Sequence, residues 1–86
     1  VDPVSILDSV GLGPIERAIA VTLAKRLDRW TSTAALIAAA YAGAWDEPDD
    51  PANCLKSVCH ILRRKLRPHG LTIEGVPYYG RRMVRT

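Results

Sequence analysis

The sequence predicts a mainly α-helical domain that ends in a small β-hairpin. Three observations predict it. Apolar residues recur at helical spacing in the first two-thirds of the chain, most clearly at Ile15, Ile19, Leu23 and Leu27 and again at Leu55, Cys59, Leu62 and Leu66. Helix-start signals precede these runs: Asp2-Pro3, Gly13-Pro14, Thr31-Ser32-Thr33 and Asp49-Asp50-Pro51. After Pro68 and Gly70 the pattern changes to short alternating segments around a Gly- and Pro-containing turn.

Taken in order, Asp2-Pro3 opens a short N-terminal helix or arm over residues 1–11, with Ile6, Leu7 and Val10 at helical spacing and Gly11 as its stop. A first long amphipathic helix is expected over 14–28, with Glu16, Arg17, Lys25, Arg26 and Arg29 around its polar side. The Thr31–Thr33 cluster caps a second helix over 33–43. That helix is Ala-rich, with Leu36, Ile37, Ala40 and Tyr41 as its bulkier face. An acidic loop, Ala44 to Asp50, leads to a third helix over 51–67. Leu71 to Glu74 reads as a strand, Gly75 to Gly80 as a turn and Arg81 to Val84 as the returning strand, so the hairpin spans 71–84.

At 86 residues the chain is one domain with a modest core. Its composition, 48% hydrophobic and 24% charged, is that of a globular protein. No apolar run approaches the ~18 residues of a membrane span. No basic segment followed by an apolar one marks a signal peptide. The chain opens at Val1 and not at Met, which fits a piece of a longer protein. Cys54 and Cys59 lie five apart on one expected helix and point in different directions, so the reading is free thiols in a reducing, cytoplasmic compartment.

The formal charge of +3 conceals an asymmetry: residues 1–50 carry a net −4 and residues 51–86 a net +7. A concentrated cationic region is the electrostatic footprint of a nucleic-acid partner, although a solvated basic surface looks the same in sequence. The order helix, helix, loop, helix, hairpin is that of a winged helix-turn-helix, a three-helix core with a C-terminal wing. In that arrangement the third helix enters the major groove and the hairpin touches backbone or minor groove.

Particular segments carry a family resemblance. Leu12-Gly13-Pro14-Ile15-Glu16 resembles the opening Leu-Thr-Pro-x-Glu of the OmpR/PhoB-type response-regulator effector domain, and Thr31 to Ile37 resembles its Val-Ser-Arg-Glu-Glu-Leu-Leu segment. Leu62-Arg63-Arg64-Lys65-Leu66 is similar to the Leu-Arg-Lys-Lys-Leu that ends its recognition helix, and Leu71 to Val76 resembles its first wing strand. Of the usual wing sequence Arg-Gly-x-Gly-Tyr-Arg, the segment Pro77 to Arg82 keeps Gly80 and Arg82. The N-terminal sheet and phospho-receiver domain of that family have no counterpart in these 86 residues. The resemblance implies a bacterial or phage-type transcription regulator, associated with the nucleoid, that binds double-stranded DNA. It also implies that Arg63 contacts phosphate and that the loop before the third helix contacts RNA polymerase.

The residues themselves divide by chemistry. Asn53, Ser57 and His60 lie towards the front of the third helix and suit base edges. Arg63, Arg64 and Arg67 offer planar forks for phosphate or guanine, though basic residues are favoured at a helix C-terminus in any case. Lys56 and Lys65 read as backbone positioners. In the hairpin, Tyr78, Arg81 and Arg82 are the DNA-contact candidates, with Arg85 near the chain end and Tyr79 beside the tip. In the acidic loop Trp45, Asp46 and Glu47 are candidate partner contacts, because a loop Trp is a frequent interface anchor.

Cys54, Cys59, His60 and His69 do not follow a zinc spacing, so no metal and no cofactor is expected. No nucleophile–base pair, carboxylate pair or phosphate-cradling loop points to an enzyme. The rival to DNA binding is a protein-interaction module on the same fold, meeting an acidic partner or forming a homodimer through Ile6, Leu7 and Val10.

Overall fold

Short polar side chains cap three of the four helices among the described residues, and a Pro marks the start of three. In the computed structural model, which describes residues 2–42, 50–76 and 79–86, helix α1 spans Pro3–Leu7 and the Asp2 carboxylate accepts from the Val4 N–H at 2.9 Å. Helix α2 spans Pro14–Ala24, and Glu16 Oε1 reaches back to accept from the Gly13 N–H at 3.3 Å. Helix α3 spans Thr33–Ala40, with Ser32 Oγ accepting from the Ala35 N–H at 3.1 Å. Helix α4 spans Pro51–Leu66, with Asp50 Oδ1 accepting from the Asn53 N–H at 3.1 Å. Each contact satisfies one of the donors that a helix start leaves open.

Helix α2 ends four residues before the expected 28. Past Ala24 the chain tightens through Arg26 N–H to Leu23 C=O and Arg29 N–H to Arg26 C=O. Asp28 then takes a left-handed φ of 66°, a conformation that Asp tolerates better than most residues. Its N–H donates to Met83 C=O at 2.9 Å. That bond sends the chain alongside the C-terminal segment. Thr31–Ser32 therefore forms a short strand, β1, where the sequence suggested only a cap. Ser32 does both: it ends the strand and caps α3.

A 3-10 turn, Arg67–His69, follows α4, and Gly70 at φ 77° turns the chain into strand β2, Leu71–Val76. Strand β3, Gly80–Arg85, returns antiparallel to it with Ile73 opposite Met83 and Gly75 opposite Arg81. The hairpin is thus two strands of a three-stranded antiparallel sheet, in the order β1-β3-β2. The third strand is an addition to the expected hairpin, and the expected returning strand starts one residue earlier, at Gly80.

The core lies where the helices meet the inner face of this sheet. Leu7, Ile19, Leu23, Leu36, Leu62, Leu66, Leu71 and Met83 are fully or almost fully buried. All four residues of the α4 stripe, Leu55, Cys59, Leu62 and Leu66, are buried as their spacing predicts. The α2 stripe is rotated from expectation: Ile19, Ala20, Leu23 and Ala24 are buried, whereas Ile15 at the helix start is 37% exposed.

Gly80 is where β1 and β3 come closest. A Cβ at that position would lie 2.1 Å from the Thr31 carbonyl oxygen, which is backbone and cannot swing aside. Gly80→Ala is therefore expected to push β1 off the sheet and to destabilise the domain by about 1–3 kcal/mol, the usual scale of overpacking. Urea unfolding followed by circular dichroism would read this as a lowered midpoint, and an unchanged midpoint would refute the close approach.

Candidate nucleic-acid interface

Helix α4 presents its polar face along its whole length. With one stripe buried, the 3.6-residue period puts Asn53, Lys56, Ser57, His60, Ile61, Arg64 and Arg67 outside, and all seven are exposed. Sixteen residues give the helix a length of about 24 Å. One shallow depression on this face is lined by Asn53, Lys56, Ser57, His60, Ile61 and Arg63, and a second at the C-terminal end by His60, Arg63, Arg64 and Arg67. Ile61, 39% exposed, puts an apolar patch in the middle of this cationic strip. Among the described residues, none of Lys56, Arg63, Arg64 and Arg67 forms an ion pair with a carboxylate.

Arg63 is half-buried and partly committed. Its Nε donates to the Ile73 carbonyl at 2.7 Å, which ties α4 to strand β2. Lys65, read from the sequence as a backbone positioner, makes two contacts within the fold. Its ammonium donates to Gly11 C=O at 2.9 Å and to Glu16 Oε1 at 2.7 Å, joining α4 to the start of α2. The Lys65 ammonium holds the Glu16 carboxyl below the usual carboxylate range, against the opposing effect of burial.

The hairpin arginines part company because a strand alternates faces. Arg81 shares the inner face with Met83 and lies against Gly75, where an added Cβ would sit 2.8 Å from Arg81 Cδ. There it lines a small cavity of about 150 Å³ with Lys56, Cys59, Arg63 and Gly75. Arg82 is on the outer face. Its Nε donates to Glu74 Oε1 at 2.6 Å, and its guanidinium carbon stands 4.8 Å from the centre of the Trp30 ring. Tyr79, 60% exposed, meets the same Trp30 edge to face, with ring centres 5.5 Å apart.

Two residues absent from the sequence-derived site therefore shape it. Trp30 anchors Arg82 and Tyr79 from the β1 side, and Gly75 leaves the space that Arg81 fills. The alternation of Ile73, Gly75, Arg81 and Met83 was the available signal for the second. Nothing local flags Trp30. Tyr78, Trp45, Asp46 and Glu47 lie outside the described residues.

Cys54 and Cys59 are free thiols. Burial pushes the Cys59 thiol up, with Arg81 and Arg63 pulling part of the way back. Among the described residues no three His, Cys, Asp or Glu side chains group as a metal site would need, and no helix is long and apolar enough to cross a membrane. No family model matches the chain, and no curated protein matches it.

The Glu16–Lys65 pair makes stability depend on pH in a defined direction. A carboxyl whose folded pKa is depressed stabilises the fold above its ordinary unfolded value, about 4.3, and loses that contribution as pH falls through the folded value. The pair is partly solvated, so the effect is at most about 1 kcal/mol. Glu16→Gln should therefore lower stability near neutral pH and converge with the wild type under acid conditions. Urea midpoints across that range would show it, and a constant difference at every pH would disprove the coupling.

Proposed function

We propose that this chain is a winged helix-turn-helix domain that binds double-stranded DNA sequence-specifically, as part of a transcription regulator of the bacterial or phage type. Helix α4 enters the major groove, and the β2–β3 hairpin rests on the adjacent backbone or minor groove. The observation that carries the reading is the exposed face of α4. It combines base-reading amide, hydroxyl and imidazole groups with arginines that have no carboxylate partner among the described residues. The chain order α2, β1, α3, α4, β2, β3 also supports it, because a strand between the first two core helices that pairs with the hairpin is how a wing is anchored. A helix of ~10–12 Å diameter suits a major groove ~12 Å wide. The Leu62–Leu66 motif favours the OmpR/PhoB-type effector branch of this fold.

On this reading Arg64 and Arg67 neutralise phosphates at the C-terminal end of α4, while Asn53, Ser57 and His60 read base edges. Lys56 and Arg81 approach the backbone from the hairpin side. Arg82, tied to Glu74 and Trp30, acts through its remaining guanidinium N–H groups. A second reading, a protein-interaction module, is favoured by one feature: Ile61, Val76 and Tyr79 are exposed large apolar side chains on or beside the same region.

Fluorescence anisotropy with a mixed-sequence duplex separates the two. DNA binding should be measurable at about 50 mM salt and collapse by about 200 mM, because each neutralised phosphate adds about 0.9 to the slope of log affinity against log salt. Absence of binding at low salt would overturn the DNA reading in favour of the protein-interaction module.

The two residue classes should then behave differently. Arg64→Ala is expected to weaken all duplexes alike and to reduce the salt slope by about one. It is a cleaner test than Arg63, whose loss would also free the Ile73 carbonyl. Asn53→Ala should keep the slope and cost about 1–3 kcal/mol of discrimination on a selected site. A variant at Arg64 with unchanged affinity and slope would rule out this placement of α4.

A further inference from the structure

The small cavity between α4 and the hairpin has an unusual electrostatic composition. Lys56 and Arg63 from α4 and Arg81 from β3 converge on it, and among the described residues none of the three has a carboxylate within ion-pair distance. Arg81 Nε is buried without a hydrogen-bond partner, Nη1 makes a 3.2 Å contact to the neighbouring Gly80 carbonyl, and the Cys59 thiol lies beside the guanidinium. A buried charged donor left unsatisfied is costly and calls for an acceptor. On the floor of the cavity the Cys59 thiol, whose ionisation burial disfavours against the pull of Arg81 and Arg63, offers only a weak acceptor. Asp50 caps the helix start with its carboxylate on the Asn53 N–H, and it lines the neighbouring groove beside Lys56 and Arg81 without an ion pair to either. Glycine at position 75 lets the Arg81 side chain lie against β2 at the edge of this opening, which at about 150 Å³ is of a size for one tetrahedral oxyanion.

We infer that Lys56, Arg63 and Arg81 form a seat for a single phosphoryl group, supplied by the backbone of a bound duplex. That the group comes from a duplex rests on the DNA reading above; the seat itself rests on the convergence of three unpaired cations. Arg63 is held in place by Ile73, Arg81 by the strand pairing opposite Gly75, and Lys56 completes the site from the exposed side. The seat therefore bridges recognition helix and hairpin, and an anion in it would fix the angle between them.

Gly75→Ala tests this without altering any charge. The added methyl would collide with Arg81 Cδ and Nε, the movable end of a side chain, so the strand tolerates it and Arg81 is displaced. Lys56→Gln is the second variant, and thermal melting checks that both fold.

Two measurements are made at fixed ionic strength where salt is not the variable: the Arg81 Nε–H nuclear magnetic resonance signal during titration with inorganic phosphate against chloride, and duplex anisotropy across salt. The expected result is a saturable phosphate shift in the wild type that Gly75→Ala abolishes. With the duplex, each variant should reduce the salt slope by about 0.9, so the affinity lost between 50 and 200 mM shrinks roughly 3–4-fold. If the wild type binds duplex but shows no phosphate shift, and both variants keep its slope, the seat is wrong and the DNA reading survives. If phosphate shifts the signal while no duplex binds, the seat stands, its source is a soluble phosphorylated ligand, and the DNA reading falls. Absence of both overturns both.

Discussion

The cationic side of the molecule depends on strand β3 being held along both edges. On one side it pairs over its length with β2, and on the other Gly80 and Arg81 pair with β1. A lone two-stranded hairpin is marginal in water. Here the β1 pairing, the Asp28 N–H bond to Met83 and burial of Met83 under the helices fasten it to the body. The close approach at Gly80 makes this possible, since any side chain there would strike the Thr31 carbonyl. With β3 fixed, β2 is fixed, and through the Arg63–Ile73 bond the orientation of α4 relative to the hairpin follows.

Concentrating a net +7 in 36 residues costs self-repulsion, and the structure distributes the charges unequally to limit it. Some basic groups are used internally. Lys65 joins α4 to α2 through Gly11 and Glu16, and Arg82 is balanced by Glu74 and lies over Trp30. Such contacts contribute modestly at a solvated surface, but they also remove two cations from the repulsive ledger. Within this segment Lys56, Arg63, Arg64, Arg67 and Arg81, which have no carboxylate within ion-pair distance among the described residues, gather on the α4 face and at its junction with the hairpin. A partner that brings negative charge to that one region relieves the repulsion where it remains.

The parts of this arrangement that were legible in the sequence are the local ones. Asp2-Pro3, Gly13-Pro14 and Asp50-Pro51 start helices through contacts two to four residues away, and the α4 stripe follows from a 3.6-residue period alone. Its exposed face was legible for the same reason. The missed features are long-range. Strand β1 is two residues long, and its partners are about fifty residues further on. Helix α2 stops early because Asp28 bonds to Met83, and propensity contains no trace of that bond. Lys65 reads as one more cation in a basic run, yet its partners lie 54 and 49 residues away.

Arg81 and Arg82 show how far a period-two argument reaches when it is carried through. Adjacent in sequence and chemically identical, they could pass for one basic patch. Ile73 and Met83 face the core, and register places Gly75 and Arg81 on their face, with Glu74 and Arg82 on the other. On the inner face the cross-strand neighbour is glycine, so Arg81 lies against it and lines an opening with Lys56 and Arg63 of α4. On the outer face the neighbour is a carboxylate, so Arg82 is neutralised and packs on an aromatic ring. The single glycine–glutamate alternation in β2 thus assigns one arginine to the shared cavity and the other to holding the sheet together. Exchanging Gly75 and Glu74 would leave the composition of the hairpin unchanged and bring a carboxylate to the face that now collects cations. The cationic character of that junction is therefore a property of register, and the overall charge of the hairpin alone does not determine it.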